Sequence, residues 1–327
     1  MLPGSLLIVR NPRARRAPSE AALREAVEPL RARGVAVELR STTAPGHAGE
    51  IAAEAARDGV ELLAAAGGDG TIHEVINGLG GSETALTAIP AGTANVWARE
   101  AGIPRNPARA LAWIEGARRV RIDLGRAEFT GPDGTPSERV FLLMCSTGLD
   151  AEAVRRIGGG GRSKRWLGPV PYALHGSERL LRAPAVRTRI AIEGPSGNTT
   201  IERSLLFAVA GNTRLYGGVA RLTGGARADD GLLDLAAFCG GSPASRLTLG
   251  ARVLVRAFGR GLRGSLAPRA GGSADYLRGA RIRIEPEMPL AVQADGEYLG
   301  ETPLTLSVEP RALDVLVAPR PHALLGE

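Results

Sequence analysis

Lysine is all but missing from this sequence. Lys164 is the only one in 327 residues, yet Lys and Arg together number 41, so arginine carries nearly all of the positive charge. A net charge of +7 would by itself suit nucleic acid or anionic lipid. The richness in arginine and alanine looks like GC-rich coding bias, however. No long basic run or aromatic-interleaved basic patch is present, which argues against a nucleic-acid partner. Cysteine is scarce too. Cys145 and Cys239 show neither metal-ligand spacing nor a disulfide framework and read as small buried hydrophobes. No run of about 18 apolar residues occurs, so no helix is expected to span a bilayer. Met1-Leu2-Pro3-Gly4-Ser5 lacks the charged start and apolar core of a signal peptide, so the chain is expected to be cytoplasmic, with any membrane contact peripheral.

What is present suggests two domains. A chain of 327 residues exceeds the size at which one core keeps growing. Over residues 1–123 strands alternate with helices: Leu6–Val9, a helix over about Glu20 to Arg33, Val35–Leu39, a helix through Ala56, Val60–Ala66, then Leu86–Pro90. That alternation predicts an α/β, doubly wound domain. From Asp123-Leu124-Gly125 onward strand-like runs dominate: Val140–Met144, Arg187–Ile192, Ser204–Ala210, Leu232–Phe238, Ala280–Ile284 and Leu290–Ala294. Turn signals separate them, and an antiparallel β-sandwich over 124–312 is expected, interrupted by helices near 149–157, 170–183 and 243–261. The last strand, Leu313–Ala318, is expected to return with 313–327 to the first domain.

Chemistry concentrates at Gly67-Gly68-Asp69-Gly70-Thr71, between the apolar strand ending at Ala66 and a helix marked by Ile72, Val75, Ile76 and Leu79. Three glycines let the backbone approach a bulky anion, and the new helix aims its free N–H groups and positive dipole end at it. Asp69 is the odd member, because a carboxylate beside phosphate is repulsive unless the reaction uses it. The plainer alternative is that Asp69 caps a helix. The plainer readings elsewhere are that Asp230 closes a turn before a strand, that Asp295-Gly296 is a hairpin signal, and that His73 is a packing or capping group.

The order of motifs resembles the diacylglycerol kinase catalytic superfamily of lipid kinases, which includes sphingosine kinases. The likeness rests on Asn11-Pro12, Thr42 with Gly46-His47-Ala48, Gly67–Asn77 and Pro90-Ala91-Gly92-Thr93-Ala94-Asn95. It continues through Ile122–Gly125, Gly148-Leu149-Asp150-Ala151, Asn212 with Tyr216-Gly217-Gly218, Asp229–Asp234 and Asp295-Gly296-Glu297. The resemblance implies ATP bound by Asn11, Pro12, Arg13, Arg15, Thr42, Gly67, Gly68, Asp69, Gly70, Thr71, Glu74, Gly92, Thr93 and Asn95. It implies catalytic roles for Asp69 and for Glu297 as general base, with Asp150 and Asn212 on the lipid substrate. It further implies Mg2+ held by Asp230 and by backbone oxygens of Arg227 and Leu232. NAD kinases share the glycine loop but not the Asp-Asp-Gly-Leu and Asp-Gly-Glu segments. A soluble-substrate kinase of that type, or a non-catalytic lipid-binding regulator, is the alternative reading.

Two departures stand out. Val96 follows Asn95 where many diacylglycerol kinases have an aspartate, and the first loop lacks the family's frequent glycine, leaving Arg13 and Arg15 to hold phosphates. A membrane anchor is expected where Arg162, Lys164 and Arg165 adjoin Trp166 and Leu167, for contact with anionic lipid. A homodimer is left open.

Overall fold

The computed structural model describes residues 2–158, 183–195, 197–217, 221–240, 274–319 and 324–326. The expected anchor around Trp166 and the expected helices near 170–183 and 243–261 lie outside the described residues. The chain divides into two compact units, Met1–Leu124 with Pro310–Glu327, and Gly125–Glu309.

The first unit contains β1 (Ser5–Arg10), α1 (Glu20–Ala26), α2 (Glu28–Arg31), β2 (Ala36–Ser41), α3 (His47–Arg57), β3 (Leu62–Gly67), α4 (Asp69–Leu79), β4 (Ala85–Pro90), α5 (Val96–Ala101) and α6 (Pro107–Trp113). β1 pairs in parallel with both β2 and β3, and β3 with β4. Beyond β4 lies the end of the chain's last strand, which places Val315 opposite Leu86, again in parallel. Every residue of β3 and of β4 is buried, as expected of strands covered on both faces. Leu6, Ile8, Leu62, Ala64 and Ile89 share a core with Leu23, Leu30 and Leu111 from α1, α2 and α6. Their alternates Leu7, Val9, Leu63 and Ala65 are also buried, and α3 and α4 pack on β1 and β3. Helices therefore cover both faces. α3 and α4 approach so closely that a Cβ on Gly78 would lie 2.1 Å from the Gly49 carbonyl oxygen.

The second unit begins inside β5 (Arg118–Thr130). The change of pattern at Asp123–Gly125 is thus not a break in the chain's structure, because one strand runs through it. There follow β6 (Pro136–Phe141), β7 (Met144–Gly148), α7 (Leu149–Gly158), β8 (Val186–Gly194), β9 (Gly197–Gly211), β10 (Leu233–Cys239), β11 (Ala274–Gly279), β12 (Arg281–Pro286), β13 (Ala291–Ala294) and β14 (Glu297–Val317). The pairings are antiparallel and trace a closed circuit, β7-β13-β14-β12-β8-β9 and back to β7. β10 and β11 extend the sheet from β9. Alternate residues point inward, and Phe129, Phe141, Ile190, Leu205, Leu235, Ile282 and Leu304 share one core. The other face of β7, β9 and β10 buries Met144, Val209, Ala236 and Phe238 in a second cluster.

The strand expected over Val140–Met144 is split. Its interruption at Leu142 and Leu143 has a polar cause. The backbone N–H groups of Leu142, Leu143 and Met144 all donate to the Asp295 carboxylate, at 2.8, 2.9 and 2.9 Å.

Candidate active site

Four loops gather at the carboxyl ends of β1, β2, β3 and β4, where ligands collect in open α/β sheets. Gly67 ends β3 and Gly68 precedes α4, whose start no side chain caps. A helix start of this kind, at the carboxyl end of a parallel strand, is a place that could hold an anion. The glycines are required by contact. A Cβ on Gly67 would lie 2.3 Å from Thr71 Oγ1, and one on Gly92 would lie 2.6 Å from Gly68 Cα. The glycine loop and the Pro90–Asn95 loop thus touch backbone to backbone.

Hydrogen bonds lock the remaining pieces. Asn11 N donates to Ala66 O at 2.9 Å, and Asn11 Nδ2 to Thr71 Oγ1 at 3.0 Å. Asn11 Oδ1 accepts from Arg13 N at 2.9 Å, while Arg16 N reaches Ala91 O at 2.9 Å. Thr42 N donates to Arg10 O at 2.8 Å, which joins the end of β2 to β1. Asn95, in the left-handed region at φ 47°, closes its own loop: Oδ1 accepts from Gly92 N at 2.8 Å and Nδ2 donates to Gly92 O at 3.0 Å. Asp69 Oδ1 accepts Trp97 N–H at 3.2 Å. Asp69 does cap a helix, but the helix is α5 rather than its own.

Of the residues assigned to ATP, the structure brings together Asn11, Thr42, Gly67, Gly68, Asp69, Gly70, Thr71, Gly92, Thr93 and Asn95. Pro12, Arg13 and Arg15 stand exposed on the first loop. Glu74 Oε2 accepts Ala48 N–H at 3.2 Å and so caps α3, the helix that follows the Thr42 loop. Asn11, Asn95 and Asp69 all use side-chain atoms to shape loops, so the surface offered to an anion is built largely of backbone.

In the second unit, Asp295 and Gly296 form the two-residue turn between β13 and β14, with φ of 49° and 87°. Both positive values match the turn favoured by tight hairpins. Glu297 opens β14 directly after that turn. It borders a cleft of about 400 Å³ whose lining includes Phe129, Arg139, Tyr298 and Leu299. Asn212, assigned to the substrate, also has a structural task. It is fully buried, and its Nδ2 donates to Leu142 O at 3.0 Å.

Asp150 centres a polar network that the motifs did not reveal. Ser146 and Tyr216 donate hydroxyls to it, and Gln293 Nε2 reaches its Oδ2 at 3.1 Å. Burial pushes the Asp150 carboxyl up from its ordinary value, against the hydrogen bonds from Ser146 and Gln293. Gln293 Oε1 in turn accepts Gly296 N–H at 2.9 Å, so the network supports the hairpin carrying Glu297. A polar Gln293 inside the otherwise apolar run Ala291-Val292-Gln293-Ala294 was the available signal.

At the turn expected to hold Mg2+, the one carboxylate of the expected donor set is already engaged, which fits the ion poorly. Asp230 Oδ1 accepts Leu232 N–H at 3.1 Å, and Oδ2 pairs with the Arg278 guanidinium. Among the described residues no group of three His, Cys, Asp or Glu side chains could hold a metal ion.

Comparison with known proteins separates the candidates that share a glycine loop. Residues 5–127 match the diacylglycerol kinase catalytic domain, and residues 144–317 match the YegS C-terminal NAD kinase beta sandwich-like domain. A Pseudomonas aeruginosa PAO1 protein named "Probable lipid kinase YegS-like" is 34% identical over 295 residues, covering 90% of this chain and 88% of that protein. The chain belongs to the YegS-like family of lipid kinases, with a diacylglycerol kinase catalytic domain. A YegS-like relative from Klebsiella pneumoniae is 36% identical over 240 residues, covering 73% of this chain and 75% of its own. A diacylglycerol kinase structure from Bacillus anthracis strain Sterne shares the fold at a TM-score of 0.68 and 21% identity, covering 96% and 97% of the two chains. Yeast NADH kinase shares it more distantly, at a TM-score of 0.51 and 11% identity over 98% of this chain and 85% of that one. For this YegS-like chain the glycine loop therefore belongs to a kinase catalytic domain, and the β-rich unit to the domain that follows it in the family.

Proposed function

We propose that the protein transfers the γ-phosphoryl group of MgATP to a hydroxyl of a membrane-derived lipid, of diacylglycerol or long-chain-base type, in phospholipid metabolism. The observation that carries the reading is the uncapped start of α4. It lies among four interlocked loops at one end of a parallel sheet, in a chain whose relatives are named lipid kinases. We read that sheet, helix-covered on both faces, as doubly wound. ATP binds with its phosphates on the backbone N–H groups of the Gly67–Thr71 loop, and Arg13 and Arg15 reach in from the first loop.

In the reaction the acceptor oxygen attacks the γ-phosphorus, the bond to the β-phosphate oxygen breaks, and ADP leaves with that electron pair. Glu297 takes the hydroxyl proton. Asp69 serves from the phosphate loop, where its hold on Trp97 N–H keeps the two glycine loops in register. Among the described residues no helix is long and apolar enough to cross a membrane. The lipid is reached by peripheral contact with an anionic surface.

The test is incubation with radiolabelled ATP and a total lipid extract, with the labelled product identified by mass spectrometry. Labelled lipid is expected. Labelled NADP without labelled lipid would favour a soluble-substrate kinase, the reading the NADH kinase fold keeps in view. With a lipid acceptor in hand, Asp69→Asn should lower turnover at least about a hundredfold while the fold stays intact. Glu297→Gln should lower kcat far more than ATP affinity, because a base acts in the chemical step. Normal kcat with weakened ATP binding would remove Glu297 from that role.

A further inference from the structure

We infer that Arg278 does, at the Asp229–Leu232 turn, the work that a divalent cation does in the metal-binding reading of that motif, so this turn is held without metal. The arrangement is built by the sheet. Asp234 on β10 and Arg278 on β11 are opposite partners in the antiparallel ladder, as are Ala236 and Tyr276. Arg278 and Tyr276 therefore leave one strand on the same face, both toward Asp234. The Arg278 guanidinium pairs with Asp230 through Nη2 and reaches Asp234 Oδ2 through Nε at 3.3 Å. Tyr276 OH donates to Asp234 Oδ1 at 2.5 Å and accepts Gly225 N–H at 3.1 Å.

The consequence is a clamp at two points. Gly225 is tied to Tyr276 at one side of the loop and Asp230 to Arg278 at the other, with Asp234 between them. The Asp234 side chain has 0% exposure, while Asp230 retains 22% and Arg278 39%. A buried carboxylate left without a counter-charge is costly. A planar guanidinium is the side chain best shaped to bridge two carboxylates. A divalent ion at Asp230 would have to share that carboxylate with a cation already touching it, and like charges at such distances repel. The donor set and its occupant thus favour the arginine.

This inference stands apart from the kinase reading, and so does its test. Thermal unfolding of the nucleotide-free full-length protein would be followed in Mg2+ and in EDTA, for wild type, Arg278→Met and Asp230→Asn. The wild-type midpoint is expected to differ by less than about 1 °C between the two buffers, since an ion bound to the native state would raise it. Arg278→Met is expected to fall by about 5 °C in EDTA, through the unpaired carboxylates it leaves. Should Arg278→Met fail to fold, Arg278→Lys is read the same way, because lysine keeps the charge but cannot bridge two carboxylates. Titration with Mn2+, followed by the loss of its free-ion paramagnetic resonance signal, gives a second reading. No binding that depends on Asp230 is expected. A wild-type midpoint that rises with Mg2+, or Mn2+ binding, in either case abolished by Asp230→Asn, would overturn the inference. So would an Arg278 variant as stable as wild type.

Discussion

The loops around Gly67 and Gly92 in the first unit and the hairpin at Asp295 in the second answer the same need, an irregular loop held rigid, by opposite means. In the first unit the tightest contacts are between backbones, with side chains of Asn11, Asn95 and Asp69 tying the loops off. Gly68 and Gly92 press backbone on backbone with no room for a methyl group between them. In the second unit one carboxylate gathers three backbone N–H groups and fixes the Leu142–Leu143 kink against the hairpin. A loop built from contact is sensitive to added volume. A loop built from a polar hub is sensitive to lost atoms, because each donor it abandons is buried.

The contrast can be broken or sharpened by substitution. Asp295→Ala should have the largest effect, a loss of about 4 kcal/mol from three orphaned donors, allowing for non-additivity. Urea unfolding of the full chain measures it, and a loss under about 1 kcal/mol would mean water replaces the carboxylate as well as it is needed.

Gly92→Ala comes next. The added Cβ would sit 2.6 Å from Gly68 Cα, so the two loops must part. Displacement of that order at a phosphate site should lower kcat/KM by about a hundredfold, with little change in melting temperature. An enzyme unaffected by this change would show that the glycine contact is packing without function.

The smallest effect is expected at Asp150, where the two designs meet least. Burial raises this carboxyl above its ordinary value near 3.8. A raised acid binds its proton more tightly in the folded state, so its contribution to stability is full at low pH. That contribution is lost as pH climbs from the unfolded value through the folded one. Asp150→Asn should therefore match wild type at acid pH and exceed it in stability near neutrality. Urea midpoints of the two proteins across pH would show the gap opening upward, and a constant gap would assign the effect to altered hydrogen bonds.

Sequence pattern carried the first unit further than the second, for a physical reason. Its strands are short, apolar and separated by helices, so Leu62–Ala66 followed by three glycines announces both the strand end and the loop. The long strands β5, β9 and β14 are harder to see. Their residues alternate, bend and change partners along their length. β9, for example, pairs with β8 through Gly197–Leu205 and with β10 and β7 through Leu205–Gly211. Motif order drew attention to Gly67–Thr71 and Gly92–Asn95 in the first unit and to Glu297 in the second. It could not show that Glu74, Asn95 and Asn212 each bond a backbone group through their side chains. Arg278, Tyr276 and Gln293 stay hidden because each acts across a strand pairing, and single-sequence spacing does not report which strands are neighbours.

The parallel pairing of Val315 with Leu86 bears on how the chain is made. The first unit includes Pro310–Glu327, so its sheet lacks one strand until all of Gly125–Glu309 has left the ribosome. Through most of synthesis β4 would present an open, apolar edge, the kind of surface that recruits wrong partners. The closing contacts come late as well: Arg119 with Asp314 at 2.7 Å, Arg311 N with Asp123 at 2.8 Å, and Ala318 N with Ala101 O at 2.9 Å. The two glycine loops are encoded before residue 100, but the sheet that carries them is joined by a strand from Pro310–Glu327, which makes loss of that distant strand a lesion of the first unit.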